Sequence, residues 1–157
     1  MVRIRGEMTM VEIRTMTKED IPEVTAIHRA IMLTTFKELA DLELELEFLD
    51  MMSNYPEGCL VAVSGDRVVG FIMGSQKHWG FGLVTSGWIE LVGVHPNHMG
   101  SGVGKALGEA VLDHFEEQGI GNVYTAVKWD YADLITFFKS IGFGRSEFIN
   151  LKFARKE

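Results

Sequence analysis

The alternation of apolar and polar residues along the first third of the chain predicts one strand followed by two helices. Val11–Arg14 alternates like a half-buried strand, and residues 1–9 before it have no such pattern and form a candidate disordered segment. Apolar residues recur every three to four positions over 21–31, behind a candidate cap at Thr17, which predicts a helix. The stretch 35–52 fits both periods, and we interpret it as a helix because Leu and Glu favour helices.

The rest of the chain alternates strands with helices. Cys59–Val63 and Val68–Met73 are apolar runs joined by a short turn with glycine, which predicts a hairpin. After a glycine-rich stretch, Trp88–Val94 predicts another strand, and the apolar stripe over 103–115 predicts an amphipathic helix. Three shorter elements complete the prediction: a strand at Val123–Val127, a helix from a cap at Asp130 to Gly142, and a last strand near Ser146–Phe153.

The predicted order is β-α-α-β-β-β-α-β-α-β, in which a hairpin precedes a βαβ unit. This order predicts an α/β fold of the mixed α+β kind, with a mixed, mostly antiparallel sheet flanked by helices, and it excludes a purely parallel sheet. No linker or repeat divides the 157 residues, so we expect residues 1–157 to form a single domain.

Composition narrows the classes of partner. The lone Cys59 forms no internal disulfide, and the start of the chain lacks the apolar stretch of a signal peptide, so we expect a cytoplasmic protein. The apolar runs fall far short of the ~20 residues that span a bilayer, and we expect no membrane partner. The net charge of −7 has the wrong sign for nucleic acid and favours a cationic small molecule or basic peptide.

A glycine-rich loop between a strand and a helix carries the most specific signal. Glycine recurs at 100, 102 and 104, where the predicted helix begins, so that several backbone N–H groups and the helix dipole converge on one concavity. Such a concavity binds anions. Met99 and Ala106 stand where a P-loop needs Gly and Ser or Thr, and the third glycine of a dinucleotide fingerprint falls on Lys105 or Leu107.

The same loop resembles the acetyl-CoA loop of the GNAT superfamily of N-acetyltransferases. That family's pattern is Arg/Gln-x-x-Gly-x-Gly/Ala after a strand that ends in Val-x-Pro, and here Val94-x-Pro96 is followed by Met99-Gly100-Ser101-Gly102-Val103-Gly104. Phe137–Phe143 looks like the family's Phe-Tyr-x-x-x-Gly-Phe signature, and 13–31 is similar to its first strand and helix. The resemblance implies a GNAT-like fold and acetyl-CoA as co-substrate, with no metal.

The resemblance also implies how acetyl-CoA binds. The pyrophosphate is expected on the backbone N–H groups of residues 100–105, and the pantetheine arm is expected to pair with strand residues 92–94. Met99 replaces the family's Arg or Gln and leaves those amides in place. The residues implied at acetyl-CoA are Val92, Gly93, Val94, Met99, Gly100, Ser101, Gly102, Val103, Gly104, Lys105, Tyr131 and Phe138.

Two residues are candidates for the catalytic proton transfers. Strand alternation predicts that Glu90 shares a face with Trp88, Val92 and Val94, where a carboxylate beside the thioester can take a proton from an ammonium. A solvent-facing carboxylate or an ion pair is the alternative for Glu90. The family's acid, a Tyr, falls at Phe138, so Tyr131 and solvent are left as candidate acids, and a packing role is the alternative for Tyr131.

These residues predict transfer of an acetyl group from acetyl-CoA to a primary amine of a small molecule or peptide, by direct attack. The alternative is a non-catalytic acyl-CoA-binding sensor that kept the anion loop and lost its acid. His95 and His98 lack a third ligand at matching spacing, so we expect no metal site. By analogy with the family a homodimer is expected. Aromatic residues that could line the acceptor pocket are Tyr55, Trp79, Phe81 and Trp88.

Overall fold

The computed structural model describes residues 2–3, 10–35, 44–78, 81 and 84–157. These residues fall into two compact units, Met1–Ala126 and Val127–Glu157. The first unit contains a six-stranded sheet whose strands follow one another in chain order. Its strands are β1 (Val2–Arg3), β2 (Met10–Thr15), β3 (Cys59–Ser64), β4 (Arg67–Lys77), β5 (Ser86–Val94) and β6 (Val123–Tyr124).

The sheet is mixed and mostly antiparallel, as predicted. Neighbouring strands from β1 to β5 pair antiparallel, and β5 pairs with β6 parallel. The predicted hairpin is β3 and β4, whose turn contains Gly65 with a φ of 60°. β1 corrects the expectation that no structure precedes residue 11, because Val2 pairs with Val11 and Arg3 with Met10. The short β1 lacked a pattern of its own, since two residues cannot reveal alternation.

Helices cover the two faces of the sheet in the first unit: α1 (Ile21–Thr35), α2 (Glu45–Asn54) and α3 (Val103–Glu117). Side chains of α1 and α2, such as Val24 and Phe48, form a buried cluster with Phe71 and Met73 of β4. On the other face, a Cβ added to Gly70 of β4 would lie 2.9 Å from a methyl of Val103 in α3. The sheet is therefore packed on both sides.

The predicted helix over 35–52 is confirmed from residue 45 onwards, and residues 36–43 lie outside the described part. In this helix Phe48 and Met52 are buried, whereas Leu46 is 78% exposed. A short 3₁₀ turn at Lys18–Asp20 precedes α1, and the Thr17 N–H donates to Asp20 Oδ2 at 2.8 Å.

The second unit contains α4 (Ala132–Ser140), whose N-cap is Tyr131 and not the predicted Asp130. The last predicted strand is wrong, because no strand is found over 146–153. The Phe148 N–H donates to Ser146 Oγ at 3.1 Å, a local bond that competes with a strand ladder. Alternation alone marks a segment suited to a strand and cannot supply the partner strand it needs. Of the helices in the described residues, none is long and apolar enough to cross a membrane.

Candidate functional site

Among the described strands, β5 loses its partner on one side after the first third of its length. β6 pairs with β5 at Gly87 and Trp88 and ends there. Beyond this point the Thr125 hydroxyl donates to the Ile89 carbonyl at 2.9 Å. The His95 N–H donates to Val69 of β4, so strand alternation directs the N–H groups of residues 92 and 94 away from β4. That edge of β5 can take an extended ligand as an added strand.

A β-bulge occurs at the point where β5 and β6 part. Met73 pairs with Leu91, whereas the next residue, Gly74, pairs with Ile89, which leaves Glu90 as the extra residue of β5. A bulge of this kind bends the strand and changes the direction of the side chains on either side of it.

Because of the bulge, even-numbered side chains point to opposite faces of the sheet in the two halves of β5. A Cβ added to Gly87 would lie 2.9 Å from the Phe115 ring of α3, so the neighbouring Trp88 points away from α3. Val94 pairs with Gly70, whose Cβ direction also leads to α3, and Val92 shares that direction. The prediction that Glu90 shares a face with Val92 and Val94 is therefore wrong, because strict alternation does not hold across a bulge.

Glu90 lies among polar and aromatic side chains on the face opposite α3. The Ser75 hydroxyl donates to Glu90 Oε1 at 2.6 Å, and Lys77 Nζ lies 3.9 Å from the same oxygen. Lys77 Nζ also lies 3.9 Å from the centroid of the Trp88 ring. The Trp88 indole N–H donates to Ser86 Oγ at 3.1 Å. The Glu90 side chain is 36% exposed, so the carboxylate can meet a molecule from solvent.

The sequence analysis did not identify Ser75 and Lys77 as candidate site residues, although their positions on β4 gave an indication. Both lie on the polar end of β4, two residues apart, and cross-strand pairing brings Ser75 opposite Trp88. Residues two apart on a strand share a face, and their diagonal neighbours on the next strand are within reach of a long side chain. The register that makes them neighbours of Glu90 depends on the bulge, which the alternation does not reveal.

The glycine-rich loop turns from β5 into α3 through two residues with left-handed backbone. Gly100 has a φ of 77° and Gly102, the N-cap of α3, a φ of 95°, conformations that side chains with a Cβ rarely adopt. Gly104 is part of the helix itself. The Ala106 N–H bonds the Gly102 carbonyl at 3.0 Å, and the helix N–H groups before it have no acceptor within the helix. These features fit an anion such as a pyrophosphate.

The loop is open to solvent at Gly100 and Gly102, which are both exposed. Met99 is exposed, and Lys105 Nζ lies 3.9 Å from Glu109 Oε1 in an exposed pair one helical turn apart. Such a pair is weak, so the Lys105 ammonium can move toward a bound anion. Ser101 Oγ donates to the His98 carbonyl, and His95 Nδ1 accepts from the Asn97 N–H at 3.1 Å, which shape the turn before α3.

Tyr131 and Phe138 belong to the second unit. Tyr131 caps α4, is half-buried, and its ring centroid lies 5.6 Å from Lys128 Nζ. Phe138 is 5% exposed and packs edge-on against Phe137 and Phe143, at 5.2 and 5.1 Å between ring centroids. The roles of both residues toward acetyl-CoA stay predictions.

Of the predicted pocket residues that the structure describes, Tyr55 and Phe81 do not form a pocket with Trp88. Tyr55 stacks on Phe115 of α3, and its hydroxyl oxygen lies 2.8 Å from His114 Nε2, so it belongs to the opposite face of the sheet. Burial raises the pKa of Tyr55. Phe81 is fully exposed, and Trp79 lies outside the described residues.

The surroundings of Cys59 and of the potential metal ligands do not favour a catalytic role. Cys59 is fully buried, and burial raises the pKa of its thiol to about 11, which does not suit an acyl-carrying nucleophile. Within the ranges that the structure describes, no group of three or more His, Cys, Asp or Glu side chains could hold a metal ion.

Comparison with known proteins agrees with the fold and the loop. The model of the acetyltransferase (GNAT) family matches residues 23–143. The chain therefore belongs to the GNAT acetyltransferase family, which confirms the resemblance seen in the sequence. The family uses acetyl-CoA as co-substrate.

Individual relatives show how far the similarity extends. Mycothiol acetyltransferase of Kocuria rhizophila is 37% identical over 94 residues, which cover 57% of this chain and 31% of that protein. The chain thus spans about a third of the length of the curated relatives it matches.

Solved structures match over more of the chain. Ard1 from Thermoplasma volcanium is 30% identical, with a TM-score of 0.71 over 87% of this chain and 84% of that one. An aminoglycoside acetyltransferase from an uncultured soil metagenomic sample, in complex with sisomicin, has a TM-score of 0.71 at 15% identity, over 93% and 97% of the two chains. These likenesses confirm the predicted fold class.

Proposed function

We propose that this chain transfers an acetyl group from acetyl-CoA to a primary amine of a small molecule or peptide. The observation that carries the proposal is the parting of β5 and β6 beside the loop with Gly100 and Gly102. An open strand edge that leads to an anion-binding helix start suits a ligand with an extended amide-containing arm and a pyrophosphate. Acetyl-CoA has both parts.

In this proposal the first half of β5 binds the acceptor amine and the second half binds acetyl-CoA. The N–H groups of Val92 and Val94 bind the pantetheine arm, and residues 100–105 bind the pyrophosphate through backbone amides. Glu90 takes a proton from the acceptor ammonium, directly or through water, so that the neutral nitrogen can attack. Its hydrogen bond from Ser75 fixes the position of the carboxylate.

The transfer is a direct attack. The amine nitrogen forms a bond to the thioester carbonyl carbon, the carbon–sulfur bond breaks, and CoA leaves as a thiolate. A backbone N–H near residues 92–94 stabilises the oxyanion that forms on the way. The thiolate takes its proton from Tyr131 or from solvent, since Phe138 has no hydroxyl.

The first test is calorimetric titration with acetyl-CoA and with free CoA, followed by thiol release against a panel of primary amines. Binding with thiol release supports the transferase. Binding without release supports the alternative, an acyl-CoA-binding sensor, which the missing hydroxyl at Phe138 favours. Absence of binding would contradict both. A homodimer and a cytoplasmic location remain predictions.

Replacing the proposed base separates its role from packing. Glu90→Gln keeps the shape of the side chain and removes its basicity, so we expect kcat/KM to fall about a hundredfold and its rise with pH to steepen, because the attacking amine must then lose its proton to solvent. Glu116→Gln, on an exposed position of α3, is the matched control and should change neither. The measurement is thiol release from pH 6 to pH 9, and an unchanged profile for Glu90→Gln would reject the role.

A further inference from the structure

The side-chain ammonium of Lys77 lies between an aromatic ring and a carboxylate, two groups that bind cations. Its Nζ lies 3.9 Å from the centroid of the Trp88 ring and 3.9 Å from Glu90 Oε1. An aromatic face and a carboxylate are the two partners that a primary ammonium binds best. The Lys77 side chain is 45% exposed, so packing does not hold it there.

This place is also where the acceptor nitrogen has to arrive if the proposed function is correct. Trp88 is the last residue of β5 that pairs with β6, and Glu90 is the bulged residue two positions later. Both lie where the two strands part, next to the edge assigned to the pantetheine arm. Lys77 therefore holds a primary amine, of the same chemical class as the acceptor, beside the proposed base.

We propose that Lys77 is an internal competitor that fills the acceptor subsite when no acceptor is present. The subsite consists of the Trp88 ring face and the Glu90 carboxylate, and its ligand class is an unbranched primary ammonium. An acceptor binds by displacing the Lys77 ammonium, which swings into solvent on its flexible four-carbon stem. Lys77 thereby sets the affinity for the acceptor.

The contact between Ser75 and Glu90 makes the exchange practicable. The Ser75 hydroxyl donates to Glu90 Oε1 at 2.6 Å, and because this hydrogen bond does not involve Lys77, we expect the carboxylate to keep its position when Lys77 leaves. The Trp88 ring is held independently, because its indole N–H donates to Ser86 Oγ and its ring lies 5.3 Å from the Tyr124 ring. The subsite is thus formed before an acceptor enters.

The displacement can be observed without catalysis. In the full chain labelled with ¹³C at the lysine ε-carbon, the Trp88 ring current should shift the Lys77 ε-proton signal upfield, and Lys77→Arg identifies that signal. Titration with 1,4-diaminobutane should move it toward the position of the exposed lysines, whereas 1,4-butanediol should leave it in place. A signal that stays shifted, or that moves equally with the diol, overturns the proposal.

Affinities give the second readout. Lys77→Met removes the competitor and should bind 1,4-diaminobutane about fivefold more tightly, while Lys77→Arg, which keeps a cation on the ring, should bind as the native chain does. Lys18→Met removes one positive charge from the exposed 3₁₀ turn before α1 and should leave the affinity unchanged. Equal affinities of Lys77→Met and the native chain, or an equal gain in Lys18→Met, contradict the proposal.

Failure of this inference can be told apart from failure of the proposed function. Thiol release with an immobile Lys77 signal leaves the transferase intact and rejects the competitor. Displacement by the diamine without any thiol release supports the ammonium subsite and rejects acetyl transfer.

Discussion

Asp20 carries a negative charge with only 6% of its surface exposed, at the entry to α1. Arg14 donates two hydrogen bonds to its carboxylate, at 2.7 and 2.8 Å, and the Thr17 N–H donates a third at 2.8 Å. The hydrogen bonds from Arg14 are the main reason that the pKa of Asp20 is lowered from its ordinary value of 3.8. This residue couples the end of β2 to the first helix.

The lowered pKa of Asp20 predicts a stability that depends on pH. Because the folded state favours the charged form, the stabilisation is present above about pH 4 and is lost as the pH falls through the folded-state pKa. Asp20→Asn should therefore lower the free energy of unfolding by about 1 to 3 kcal/mol at pH 7 and by clearly less at pH 3. Urea denaturation at both pH values measures this.

The control for Asp20 is Asp113→Asn, on an exposed position of α3. Its effect on the free energy of unfolding should be within about 0.5 kcal/mol at both pH values. A loss in Asp20→Asn that does not diminish at pH 3 would show that the carboxylate does not stabilise the fold through its charge.

At the scale of elements, glycines let α3 approach the sheet. A Cβ added to Gly74 would lie 3.1 Å from the Phe115 ring, and one added to Gly87 would lie 2.9 Å from three of its atoms. Phe115 is fully buried and stacks on Tyr55, so its ring has little room to move. The position of the helix that begins at the anion loop thus depends on small residues in β4 and β5.

This packing predicts an asymmetric response to alanine. Gly87→Ala should lower the free energy of unfolding by about 1 to 3 kcal/mol because the added methyl overpacks the core against Phe115. Gly121→Ala, where a Cβ would meet nothing within 4 Å, should have little effect. Denaturant unfolding of the two variants measures the difference, and equal losses would contradict the packing argument.

The elements that could be predicted are those whose pattern is local. α1, α3 and the hairpin of β3 and β4 follow from periodicity and turn residues alone. The prediction of a last strand was wrong because a strand needs a partner that is distant in sequence. The bulge at Glu90 could not be predicted because it depends on the register with β4. Glu90 is a candidate from its residue type and its place on a strand, whereas its neighbours Ser75 and Lys77 can be named only once the register is known.

At the scale of the whole molecule, charge predicts how acceptors approach. Fifteen Lys and Arg against twenty-two Asp and Glu give a net charge of −7, which attracts cations over a distance set by ionic strength. KM for a cationic amine should rise about threefold from 0.05 to 0.5 M salt, while KM for aniline, which is uncharged at neutral pH, should hardly change. Steady-state thiol release measures both, and equal changes would exclude steering by charge.

The family of the whole molecule was predictable, and its acceptor was not. The spacing of Gly100 and Gly102 after Val94 separates this loop from other anion loops, since each alternative requires glycine at a different position. The proposed acceptor subsite consists of side chains that meet only in the folded sheet, such as Lys77 and Trp88.

The extra residue in β5, Glu90, reverses the direction of the side chains between the two halves of the strand. Before Glu90 the even-numbered side chains point away from α3, and after it they point toward α3. A substitution at an even position therefore lies on the side of the proposed acceptor subsite in the first half of the strand and on the α3 side in the second half. Substitutions in the first half of β5 can therefore change the preference for the proposed acceptor, while the side chains of the second half and their neighbours stay unchanged.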